Sequence, residues 1–171
     1  ITDNPTRERG QWAGDVVTVG LDIAAVAFSD LRLCRRSLVH SADCARADGL
    51  VAGLCPGGAA YLSTFAAQWV TACVHYWELT GERELLVDLF PAAERNLDAF
   101  LQQLTPDGVK DELGWGFVDW GYVRNPGPSD MGVNLHTLAA LRDLARWAEV
   151  LGRADRATFY RTKAEDLHGI V

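Results

Sequence analysis

The sequence predicts an all-α fold built from antiparallel helical hairpins. Three observations carry this. Leu62, Phe65, Ala66, Trp69, Cys73, Tyr76 and Trp77 recur at steps of three and four, the spacing of one helix face. A second stripe, Leu86, Leu89, Phe90, Ala93, Leu97, Phe100, Leu101 and Leu104, starts just after Thr80-Gly81-Glu82. Helices joined by so short a turn pack antiparallel. Further along, the helical period returns, and no stretch makes a convincing strand.

The elements follow in order. Between Gly14 and Leu33, Val19, Ile23, Val26 and Leu33 keep helical spacing, while Leu21, Ala24 and Phe28 cover other faces. A helix apolar nearly all round is expected to be buried. "ADGLVAGLCPGGA" reads as an irregular connection, because Gly and Pro punctuate it. The first stripe predicts a helix over residues 59–80, with Gly81 as its C-cap and Glu82 favouring the next start. Pro91 predicts a break or kink near Phe90 in the second stripe.

Thr105 to Asp130 then holds five glycines and three prolines and no helical period. A connection this long and irregular in a compact chain is often functional. Leu135, Leu138, Leu141, Leu144, Ala145, Ala148 and Leu151 predict a helix over 131–151, stopped at Gly152. Ala157, Tyr160, Ala164 and Leu167 begin another, giving about five helices in all.

The 171 residues fit one domain and suffice for a sizeable core. Net charge is -7 and the sequence pI near 5.0, which argues against nonspecific DNA or RNA binding and offers anionic membranes nothing. No apolar run reaches the length of a membrane span. The chain opens on Ile1, and its one Met is Met131, so it reads as processed or cut from something longer. Compartment cannot be read from it.

Cys34, Cys44, Cys55 and Cys73 are separated by 10, 11 and 18 positions, with no spacing that suits zinc. No metal or cofactor is called for. Cys73 lies in an apolar helical pattern and reads as a buried thiol. The four could make two disulfides, but a domain this long does not need them. Trp69 and Trp77 read as core. His75 and His136 read as core or surface residues, and His40 and His168 have no visible partner.

Chemistry concentrates in "DNPTRERGQWAGD", Asp3 to Asp15, with three acids, two arginines and a tryptophan. Were it helical, Glu8, Trp12 and Asp15 would share a face at i, i+4 and i+7. Asn4 before Pro5 would then be a natural N-cap, although Gly10 and Gly14 weaken a helix. Glycoside hydrolysis needs such a set: an acid for the leaving oxygen, a second carboxylate, and aromatic faces for the ring. The bland alternative is a solvated charged segment whose ion pairs contribute little. In the long loop, Asp119 and Trp120 are candidates for sugar contact.

The segment resembles the signature of bacterial alpha-L-rhamnosidases, glycoside hydrolase family 78, roughly D-x-P-x-R-E-R-x-x-W-x-G-D. Asp3, Pro5, Arg7, Glu8, Arg9, Trp12, Gly14 and Asp15 match it. Phe65, Trp69, Val70, Tyr76, Thr80 and Gly81 resemble the family's aromatic helix and the turn that ends it. "WGFVDWGY" resembles its F-x-D-W loop, and "EVLGRADRATFYRTKAEDL" a later hairpin. The resemblance implies part of an (α/α)6 toroid of six hairpins, with residues 1–171 as one incomplete piece. It implies inverting hydrolysis of terminal alpha-L-rhamnosides, with Glu8 as general acid. Asp3, Arg7, Trp12 and Asp15 would line the sugar pocket, with Asp119 and Trp120 as further contacts.

Two departures stand out. Thr64 offers a hydroxyl where the family often has an acid, and nothing from Ile1 to Val171 matches the motif of the family base. This segment is therefore expected to be inactive alone, and helix faces left uncovered could drive self-association. Two other readings stay open. One is a sugar-binding remnant without catalysis. The other is a helical-repeat interaction module, although no fixed period of ~34 residues is visible.

Overall fold

The computed structural model describes residues 6, 10–56, 60–110, 113–121 and 129–171. Among them are six α-helices: α1 (Leu21–Ala27), α2 (Arg32–Asp43), α3 (Ser63–Thr80), α4 (Arg83–Leu101), α5 (Met131–Val150) and α6 (Ala154–His168). A π-helical segment, Asp15–Gly20, leads into α1. Between α4 and α5, β1 (Leu104–Thr105) pairs antiparallel with β2 (Gly108–Val109), Leu104 opposite Val109.

The two hairpins are those the stripes predict. Gly81 ends α3 at φ 70°, and its N–H donates to Trp77 O at 2.7 Å. Only glycine adopts that left-handed backbone without a Cβ penalty. α5 starts on Asp130, whose carboxylate accepts from Val133 N at 3.2 Å, a side-chain N-cap. Helices α3 and α5 pack side by side, α4 packs on both, and α6 closes against α5. Trp69, Trp147, Tyr160, Phe90 and Phe100 fill the core between them. Both buried indoles are satisfied, Trp69 Nε1 by Leu38 O and Trp147 Nε1 by Leu86 O, each at 2.9 Å. Trp77 is only partly buried, with Arg146 over its ring.

Three expectations need correction. α4 runs unbroken through Pro91. The missing N–H would have paired with Val87 O, and Val87 and Pro91 both lie on the exposed face, where water can take the freed carbonyl. Meanwhile Leu86, Leu89, Phe90 and Ala93 hold both halves to the core. The Gly14–Leu33 pattern is not one buried helix. It is the π-helical segment, α1 and the start of α2, interrupted where Phe28 turns extended. Its apolar positions Val19, Ile23, Val26, Phe28 and Leu33 are exposed, because no described residue covers that face. The described residues hold six helices rather than about five, with one short strand pair.

Cys44 and Cys55 form a disulfide that clips the end of α2 to the connection before α3. Cys34 and Cys73 are free and buried. Among the described residues, no helix is long and apolar enough to cross a membrane.

Candidate functional site

The irregular connection after α2 acts as a scaffold. Ala13 N donates to Gly53 O at 2.7 Å and Cys55 N to Gln11 O at 3.0 Å. Trp12 pairs with Leu54, which pairs in turn with Ala60. Residues 11 and 12 are thereby held against this connection, outside any helix. The shared helical face proposed for Glu8, Trp12 and Asp15 is thus not formed at Trp12, because backbone pairing with Leu54 replaces helical bonds there. Helical geometry begins just beyond, and Asp15 N reaches back to Trp12 O at 3.2 Å.

The long loop returns to the same place. Its base is closed by the Lys110–Ser129 bridge. It is also closed by Asn134, whose Oδ1 accepts from Val109 N at 2.8 Å. Its arm then crosses the start of α3. Trp115 N donates to Tyr61 O at 2.9 Å, and the buried Thr64 hydroxyl donates to Phe117 O. Four aromatic rings assemble on that arm. Phe117 meets Phe65 edge-on at 5.8 Å and Trp120 edge-on at 5.0 Å, Trp115 meets Trp120 edge-on at 6.0 Å, and Trp115 lies tilted against Phe117 at 4.9 Å. Edge-to-face geometry of this kind is the favoured one for aromatic pairs.

These elements enclose an open pocket of about 480 Å³. Trp12, Asp15, Asp119 and Trp120, four of the residues singled out in the sequence, line it together with Phe65, Trp115 and Phe117. Asp3, Arg7 and Glu8 lie outside the described residues. Trp120 stands 84% exposed at the mouth, and its backbone N–H donates to the Asp119 carboxylate at 2.7 Å. Flat rings beside two carboxylates suit a neutral polyhydroxylated ring: the π faces take its C–H edges and the carboxylates accept its hydroxyls.

Among the lining residues that sequence reasoning did not assign to the site are Phe65 and Thr18. Phe65 belongs to the α3 stripe and so reads as core, yet it faces the pocket because it lies in the first turn of α3. Thr18 carries no sequence signal. It lines the pocket while its hydroxyl donates to Gly14 O at 2.6 Å. A second cleft, about 560 Å³ and lined by Val19, Ile23, Phe28, Leu33 and Cys34, shares Asp15 with the first. It is mostly apolar and contains no other candidate residue. Among the described residues, no group of three or more His, Cys, Asp or Glu side chains could hold a metal ion.

In comparison with known proteins, residues 1–170 match the family described as bacterial alpha-L-rhamnosidase 6 hairpin glycosidase domain. No curated protein matches the chain by sequence. Among solved structures, the chain is similar to the GH78 family rhamnosidase of Bacillus sp. GL1, with 22% identity and a TM-score of 0.88 over 99% of this chain. It is also similar to a rhamnosidase from Klebsiella oxytoca with rhamnose bound, with 22% identity and a TM-score of 0.84 over 98% of this chain. The chain spans 18% and 33% of the length of those two proteins. The helices described above are thus a segment of an (α/α)6 arrangement, and the chain belongs to the bacterial alpha-L-rhamnosidase six-hairpin glycosidase family.

Proposed function

We propose that this chain supplies the acid side of an inverting glycosidase that removes terminal alpha-L-rhamnosyl groups. In this reading residues 1–171 are one piece of the six-hairpin catalytic domain. The observation that carries it is the meeting of Trp12 and Asp15, from the signature segment, with Asp119 and Trp120, from a loop a hundred residues away, around one pocket. The Klebsiella oxytoca relative with rhamnose bound supports rhamnose as the sugar.

Glu8 then acts as general acid and protonates the leaving oxygen, while Asp3, Arg7, Trp12 and Asp15 hold the sugar. Inversion needs a second carboxylate, ~6.5–9.5 Å from the first, to activate water on the opposite face. In this reading a further hairpin of the intact domain contributes that base. The 171-residue segment by itself is therefore expected to bind but not to turn over substrate.

The test is Glu8→Gln in the intact enzyme, assayed on aryl alpha-L-rhamnosides of graded leaving-group ability. General acid help is worth ~10²–10⁴-fold. Poor leaving groups should lose nearly all of it, and activated ones the least. A variant equally slow on both would remove Glu8 from the acid's role. Clear turnover by the 171-residue segment, abolished at Glu8, would show that no outside base is needed. An intact protein that binds L-rhamnose without turnover would favour the sugar-binding remnant.

A further inference from the structure

The aromatic arm is fixed from outside the pocket as well as from within it. Arg46 lies in the turn after α2 and does not line the pocket. Its backbone is pinned there, N–H to Leu50 O at 2.9 Å and carbonyl to Gly49 N at 2.8 Å. Its guanidinium forks onto Asp48, Nε to Oδ1 at 2.9 Å and Nη2 to Oδ2 at 2.6 Å. The remaining nitrogen, Nη1, donates to Leu113 O at 2.7 Å. The guanidinium also stands 5.2 Å from the centre of the Tyr61 ring.

Leu113 is the buried residue from which the aromatic arm departs, and Tyr61 O holds Trp115 two residues later. Arg46 therefore touches both residues that support the arm, Leu113 through its carbonyl and Tyr61 through its ring. A planar fork already locked on one carboxylate presents its third nitrogen in a set direction, which a lysine cannot do. Asp48 is fixed in turn, because Oδ1 also accepts from Leu50 N at 3.1 Å.

We infer that Arg46 is a positioning residue for the sugar pocket. Oriented by Asp48, it holds Leu113 and so sets where Trp115 and Phe117 present their rings. The inference rests on the reading of this pocket as a sugar site, but the latch itself can be tested without sugar. The Trp115 and Phe117 amides are both hydrogen-bonded, to Tyr61 O and Trp115 O, each at 2.9 Å. They report directly on whether the arm is seated.

Hydrogen exchange should be followed in the protein carrying Arg46→Ala or Arg46→Lys. Loss of one charge-assisted bond shifts a local opening equilibrium by about tenfold. Arg46→Ala should therefore speed exchange at Trp115 and Phe117 about tenfold and leave α3 and α5 unchanged. Arg46→Lys, which can reach Leu113 O but cannot fork onto Asp48, should recover part of the protection. Titration with L-rhamnose should show affinity falling in the same order. Unchanged exchange at both amides, or a rise shared equally by α3 and α5, would overturn the assignment. Local loosening in a protein whose unaltered form binds no L-rhamnose keeps the latch and overturns the sugar reading instead.

Discussion

Gly14 and Phe65 meet so closely that no side chain fits between them: a methyl group at residue 14 would lie 2.6 Å from Cε2 of the Phe65 ring. The signature segment and α3 are thus in backbone-to-ring contact at the floor of the pocket. Gly14→Ala must push the ring toward Phe117. Overpacking of this kind costs about 1–3 kcal/mol. Urea unfolding should show that loss, and near-ultraviolet circular dichroism should show the aromatic cluster rearranged. Unchanged stability and spectrum would mean that Phe65 swings aside freely.

Trp120 separates binding from folding. At 84% exposure it contributes little to the core. Trp120→Ala should shift stability by no more than about 0.5 kcal/mol. If the pocket takes a sugar, the same change should raise the L-rhamnose Kd about tenfold, or ~1.4 kcal/mol. Calorimetric titration and thermal unfolding of one preparation decide the matter. An unaltered Kd would remove Trp120 from the site.

Asn96 ties the scaffold under the signature segment to the helices. It is fully buried, accepts from Val51 N at 2.9 Å and donates to Ala66 O at 2.8 Å. Asn96→Ala strands both groups, each at about 1–3 kcal/mol. A total loss of about 2–4 kcal/mol is expected in urea unfolding. A loss below 1 kcal/mol would indicate that water replaces the amide.

His136 gives stability a pH dependence. Burial holds its imidazole below the ordinary 6.5. Gln68 Nε2 faces its Nε2 at 3.2 Å, an arrangement that suits a neutral ring accepting from the amide. The unfolded chain therefore binds this proton more readily than the folded one. Its neutral burial costs nothing above pH 6.5, and stability falls as pH drops from 6.5 through the folded value. Asp143 opposes this at lower pH. Burial raises its pKa, so the folded state takes up its proton first as pH approaches 3.8 from above. His136→Gln should flatten the stability profile just below pH 6.5, measured by urea midpoint against pH. An unaltered slope there would place the titration elsewhere.

Much of the fold was legible because the helices α3 and α5 are periodic and their ends carry strong local chemistry, Gly81 after one and Gly152 after the other. Pro91 misled because its effect depends on which carbonyl it strands, and exposure of Val87 is a tertiary fact. The run from Gly14 to Leu33 misled because apolar spacing states what a face could bury, not what covers it. At the site, Asp119 and Trp120 stood out as an acid and an indole on a glycine-flanked loop. Phe65 and Thr18 did not, since a stripe cannot say which of its members sits at an open end. Arg46 was invisible for another reason. Its partner is a backbone carbonyl at residue 113, and carbonyls leave no trace in a sequence.

The wide turn from Asp15 to Gly20 has a consequence for insertions and deletions. There Leu21 N reaches Val16 O, five residues back, and a methyl group on Gly20 would strike the Asp15 carbonyl. In an ordinary helix interior Gly→Ala gains up to about 1 kcal/mol. Here Gly20→Ala should lose stability instead, which thermal unfolding would show directly. The turn holds one residue more than an α-helix needs. Removing that residue would let the backbone relax into regular α geometry, yet it would rotate everything upstream by about 100° relative to α1. Asp15 and Thr18 belong to the pocket and Leu21 to the core. A shortened chain could keep only one of those two alignments. Loss of a single codon here would thus leave a well-formed helix whose pocket residues point the wrong way.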